Sequence, residues 1–233
     1  MLRTTTVSVE GHSISYATEG TGPVLLLLHG MLFDSRMWEA TIPYLAGHMR
    51  VVAPNLTIES FPPDVAVRLL AGLITNLQAV PCFVAGSGFG GVLALALAAR
   101  YPERVRAVFA VGSAGDQVVP EAGNMQAAYM LRHVPGALSL GTRLFPGFTT
   151  RQLLRVMHNQ NTLPAEIEAQ IAFRLRSPES RRSLVQAWRG LAKWRDLKRL
   201  YGGIRAPTLL IWGEHDQVYS LKSAERLRHM IPG

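Results

Sequence analysis

The stretch "PVLLLLHG" at residues 23–30 constrains the fold more than any other part of the chain. Val24 to Leu28 are apolar without a break, so both alternating sets of side chains avoid water. Such a run suits a strand buried on both faces, as in a parallel sheet. The type recurs in "MRVVAPNL" (49–56), "CFVAG" (82–86), "VRAVFAVGSAG" (105–115) and "APTLLIWGEHD" (206–216). Segments with helical spacing lie between these runs: "MWEATIPYLAG" (37–47), "PPDVAVRLLAGLITNLQ" (62–78) and "FGGVLALALAARYP" (89–102), with "SLKSAERLRHM" (220–230) after the last. Alternating strands and helices predict an α/β fold, a mostly parallel sheet with helices on both faces. Residues 4–10 and 12–18 alternate apolar and polar around "EGH", which predicts an antiparallel hairpin at the start.

The pattern changes over residues 117–200. Four segments there suit amphipathic helices: 121–134, 150–159, 164–176 and 180–194, punctuated by Pro135, Pro146, Pro164 and Pro178. The expected organisation is one core, residues 1–116 and 201–233, with a helical cap at 117–200. The net charge of +8 is concentrated around the cap: residues 132–205 carry 14 Lys and Arg against 4 Asp and Glu. A solvated helical surface accounts for that charge, and an acidic substrate or partner is the sharper alternative. Nucleic acid is not expected, since zinc-finger spacing and aromatic–basic RNA motifs are both missing. The longest apolar runs fall far short of a membrane span. One cysteine, Cys82, allows no disulfide framework and no thiolate metal cluster. The expectation is a cytoplasmic protein with no membrane association, metal or cofactor, and with a homodimer left open.

Four segments resemble the α/β-hydrolase superfamily, and the resemblance extends over nearly the whole chain. "LLLLHGMLFDSRMW" is similar to the family's oxyanion loop. "VAGSGFGGVLALALAARYPERVRAVFAVG" is similar to its nucleophile elbow with the following helix and strand. The 117–200 insertion stands where the family places a helical cap, and "APTLLIWGEHDQV" is similar to the segment bearing its catalytic acid. The resemblance implies an α/β-hydrolase fold whose last strand and helix are missing from this chain.

The family's elbow follows G-x-S-x-G, with small residues two before and two after the nucleophile. If Ser87 were the apex, those neighbours would be Ala85 and Phe89, and the phenylalanine would clash. If residue 88 is the apex, they are Gly86 and Gly90, and Gly91 completes the glycine pair. The spacing therefore puts Gly88 at the nucleophile's place, with Ser87 just before it. Glycine keeps the turn's shape while removing the hydroxyl.

By the same resemblance Asp216 takes the acid's place, with Asp116 as second candidate. The histidine would follow one more strand, where this chain stops at "RHMIPG". Either the natural chain is expected to continue, or a sheet edge at "TLLIW" is left for a cover or partner. His133 and His158 fall in the cap, and His215 lies beside the acid. The oxyanion donors implied are the backbone N–H groups of Met31 and Phe89, which need no particular side chain. Asn55 stands where many members carry an aspartate, in "NLTIESFPPD". The pocket is expected to involve His29, Gly30, Leu32, Phe33, Ser87, Met125, Tyr129 and Phe145. Three functions stay open. One is an enzyme binding a carbonyl- or peptide-containing small molecule and acting on it without an acyl-enzyme, by proton transfer, epimerisation or cyclisation. Natural-product peptide epimerases of the bottromycin type are similar examples. Another is an esterase-like hydrolase using Ser87 or with Gly88 an engineered change. The third is a non-catalytic binding protein.

Overall fold

The computed structural model describes residues 3–31, 33–56, 62–114, 140, 165–191, 194, 197–216 and 218–232. Its centre is a seven-stranded sheet: β1 (Arg3–Val9), β2 (His12–Glu19), β3 (Val24–Leu28), β4 (Arg50–Pro54), β5 (Cys82–Ser87), β6 (Val105–Val111) and β7 (Thr208–Ile211). The spatial order is β1-β2-β4-β3-β5-β6-β7. The β1–β2 and β2–β4 pairs are antiparallel, and every pair from β4 to β7 is parallel. The first two strands turn at Glu10 and Gly11, both at positive φ (50° and 78°), as a tight two-residue hairpin requires.

Among the described residues the helices are α1 (Ile42–Ala46), α2 (Pro63–Asn76), α3 (Phe89–Arg100), α4 (Ala165–Arg176), α5 (Pro178–Leu191), α6 (Leu197–Tyr201) and α7 (Leu221–Met230). The unbroken apolar run of β3 is explained by its two faces. Leu26 and Leu28 enter the larger core, with Val52, Val84, Val108 and residues of α2, α3, α6 and α7. Leu25 and Leu27 enter the smaller one, with Ile42, Val51 and Ala53, under α1. Helices thus cover both faces of a mostly parallel sheet, the fold class expected from the sequence.

The segment expected as one helix over 37–47 is two elements. A 3-10 turn spans Ser35–Trp38, and α1 starts afresh at Ile42 with Pro43 in its first turn. Proline has no N–H to give a continuing helix, but fits a first turn. Between β6 and β7, α4 follows the expected bounds closely. α5 starts at Pro178 and ends at Leu191, three residues short of Trp194, the expected end. The expected helices at 121–134 and 150–159 lie outside the described residues. α6, after α5, was not expected as an element of its own.

Candidate functional site

The end of β5 and the start of α3 meet in a turn with Gly88 at its apex (φ 54°, ψ −113°). That conformation is strained for a residue with a Cβ. Its N–H donates to the Val111 carbonyl (2.8 Å), fixing the turn to β6. A Cβ on Gly86 would lie 2.2 Å from the Gly90 carbonyl oxygen, and one on Gly90 would lie 2.2 Å from that of Leu28. A Cβ on Gly88 would meet nothing within 4 Å. Sterics thus demand glycine at 86 and 90, while position 88 faces open space. Ser87 is half-buried and pairs with Val111 across the sheet.

The loop after β3 lies against this turn. A Cβ on Gly30 would touch the Ser87 carbonyl oxygen at 3.4 Å. Gly30 begins a tight turn closed by the Phe33 N–H on its carbonyl (3.2 Å), and Met31 sits inside it. Phe33 and Phe89 are buried beside the turn. The N–H groups of Met31 and Phe89 find no acceptor among the described residues. Two backbone donors therefore come from adjoining elements, one of them at a helix N-terminus, where partial positive charge accumulates.

His29 is fully buried. Its Nδ1–H donates to the Gly30 carbonyl (2.9 Å), and its Nε2 accepts from the Leu56 N–H (3.1 Å). Burial pushes its pKa down to about 4, outweighing the upward pull of those backbone contacts, so the ring is neutral. Both ring nitrogens hold backbone, and none is left to meet a ligand.

Two residues the sequence reading did not place in the site, Asp34 and Arg174, shape this loop together with Asn55, whose departure from the family's aspartate the sequence already marks. Asp34 caps the 3-10 turn through the Arg36 N–H (3.0 Å) and pairs with the Arg36 guanidinium. Burial pushes its carboxyl up, but hydrogen bonds and charge from Arg36, with the charge of Arg174, hold it down at about 2. Asn55 accepts the Ser35 N–H (2.8 Å) and donates to Ser15 Oγ (3.1 Å), tying the loop to β2. Arg174, on α4, donates to the Phe33 carbonyl (3.0 Å) and to Asp34 Oδ2 (3.2 Å). The "FDSR" spacing is a cap signal for Asp34; no local signal marks Arg174.

Asp216 lies in the turn after β7. Its Oδ1 accepts from the N–H groups of Val218 (2.8 Å) and Tyr219 (3.0 Å). Its Oδ2 is 3.1 Å from where a Cβ on Gly112 would stand, so the carboxylate faces the residue after Val111. His215 is exposed. Leu32, Asp116, Met125, Tyr129, His133, Phe145 and His158 lie outside the described residues. Among the described residues, no three His, Cys, Asp or Glu are grouped to hold a metal ion, and no helix is long and apolar enough to cross a membrane.

Residues 25–233 match the alpha/beta hydrolase family model. The chain is 29% identical to a 2-hydroxymuconate semialdehyde hydrolase of Pseudomonas sp. (strain CF600), over 91% of this chain and 77% of that protein. It is 26% identical to a 2-hydroxy-6-oxo-2,4-heptadienoate hydrolase of Pseudomonas putida, over 91% and 79%. Among solved structures, a bacterial membrane phospholipase A superposes with a TM-score of 0.82 at 25% identity, over 99% of this chain and 76% of that one. A meta-cleavage product hydrolase from Pseudomonas fluorescens IP01 superposes at 0.79, over 98% and 86%; at 23% identity it speaks for the fold alone. With the family model matching most of the sequence, the chain belongs to the alpha/beta hydrolase family.

Proposed function

We propose that this protein binds a carbonyl- or peptide-containing small molecule between the core and the helical cap, and moves a proton on it without forming an acyl-enzyme. The observation that carries this reading is the turn at Gly88, where a family member would present its nucleophile and this chain presents no side chain. The N–H groups of Met31 and Phe89 would polarise the substrate carbonyl and stabilise an enolate-like charge. Removal of one such donor costs enzymes that rely on it about 3–4 kcal/mol of barrier, so a surviving pair is substantial machinery. Asp216 keeps the acid's place, with Oδ2 free of hydrogen bonds to described residues. Epimerisation or cyclisation fits such a site, and peptide epimerases of the bottromycin type are a model for it.

The test has two arms. Incubation of candidate carbonyl and peptide substrates with the protein in D2O is expected to place deuterium at the carbon α to the carbonyl, without hydrolysis. Treatment with a serine-directed phosphonate is expected to leave Ser87 unmodified; covalent labelling there overturns the proposal. A second reading, hydrolysis, is favoured by the 26% and 29% identities to two hydrolases. Hydrolysed product with Ser87 labelled would establish it.

A further inference from the structure

The loop that carries Met31 is held in several places, and they do not all belong to one part of the fold. His29 ties it to Gly30 and to Leu56. The Phe33 N–H closes the turn on Gly30, and Asn55 holds the Ser35 N–H. All of these come from the sheet and its connecting loops. Arg174 comes from α4, 141 residues further along the chain from Phe33. Its guanidinium spans two acceptors of the loop, the Phe33 carbonyl and Asp34 Oδ2. The side chains of Arg174 and Asp34 are 19% and 12% exposed, so solvent screens the pair little. A planar fork on two acceptors fixes direction as well as distance, which a point charge does not.

We propose that Arg174 is a positioning residue: it transmits the seating of α4 to the loop after β3 and so sets where the Met31 N–H points. The coupling itself is independent of the reaction, although its effect on catalysis rests on the donor role proposed above for Met31. A guanidinium on the Phe33 carbonyl restrains the C-terminal end of the turn whose N-terminal end is fixed by His29. With Arg174 withdrawn, that end is left to Asn55 and the Asp34 cap, and the turn around Met31 loosens while the sheet stays as it is.

The experiment is amide hydrogen exchange on the full chain, comparing Arg174→Ala, Arg174→Lys and the unaltered protein. Arg174→Ala is expected to speed exchange across residues 30–37 by roughly tenfold or more, the scale of losing a charge-assisted hydrogen bond. Exchange in β5 and α3 is expected to stay unchanged. Arg174→Lys is expected to fall between, since an ammonium lacks the planar fork that spans both acceptors. Benzoate, titrated while watching the Met31 amide resonance, is expected to bind several-fold more weakly to Arg174→Ala, on the same hydrogen-bond scale. If exchange at 30–37 is unchanged, or rises equally in the loop, α4 and α5, the residue is only a staple and the proposal falls. Should Arg174→Ala fail to fold, Arg174→Gln carries the same comparison, because it removes the charge and the two-acceptor fork while leaving the Asp34–Arg36 pair in place. Exchange needs no turnover, so absence of any reaction would sink the proposed function and leave this inference standing.

Discussion

Alanine at Gly86 and alanine at Gly88 should have very different consequences, although a single residue separates them. At Gly86 the new Cβ would stand 2.2 Å from the Gly90 carbonyl oxygen, 2.3 Å from the Gly90 carbonyl carbon and 2.6 Å from the Gly91 nitrogen. All three are backbone atoms of the first turn of α3, and none can rotate away. The turn must move off β5, which also pulls Gly90 away from Leu28. We expect a cost of at least about 4 kcal/mol, in the range reserved for severe core disruption. At Gly88 the Cβ meets nothing within 4 Å, and the cost is the backbone conformation at φ 54°. Strain of this kind costs about 1–3 kcal/mol, and alanine's lower unfolded-state entropy returns about 0.4–1 of it. For a domain of this size about 1 kcal/mol moves Tm by roughly 2–4 °C. Gly88→Ala should therefore melt a few degrees below the unaltered chain. Gly86→Ala should melt more than about 10 °C below it, or fail to fold. Thermal unfolding followed by circular dichroism checks both, with urea titration giving the free energies. Equal losses at the two positions, or a larger one at Gly88, would refute the steric account of the turn.

Three other outcomes follow from the loop and the acid. The folded-state pKa of His29 is about 4, below its ordinary 6.5, so the unfolded chain takes the proton first. Stability should be level above about pH 6.5 and fall between there and pH 4 by up to about 3 kcal/mol, with His29→Gln losing that slope in denaturant titrations at stepped pH. Asn55→Ala leaves the buried Ser35 N–H without its acceptor and should cost about 1–3 kcal/mol, whereas Asn55→Asp keeps an acceptor there and should cost less. Asp216→Asn retains an oxygen for the Val218 and Tyr219 N–H groups and should leave Tm nearly unchanged, while Asp216→Ala should raise exchange at those two amides.

The parallel strands were legible because each face of β3, β4 and β5 needs apolar side chains, and the unbroken runs say so directly. Gly86 and Gly90 were legible for a different reason: close backbone contacts there leave no room for a Cβ, and that imposes their spacing. What stayed hidden depends on distance in the chain. Asp34 has a cap signal of its own, but Arg174 is one arginine among many on an amphipathic helix, and nothing nearby selects it. His29 was recognisable as part of a motif. Its double engagement with Gly30 and Leu56 depends on how the end of β4 lies beside β3. The break between the 3-10 turn and α1 was written in Pro43, but helical spacing across 37–47 masked it.

Leu209 and Ile211 stand 53% and 43% exposed on β7, which pairs with β6 alone among the described strands. Were two copies to meet through these side chains, salt would act on that contact in one direction. A net charge of +8 keeps copies apart at low ionic strength. At physiological salt the screening length shrinks to about 8 Å, and that repulsion fades while the attraction between apolar edges does not. Self-association through this edge would strengthen as salt is added, the reverse of association through ion pairs.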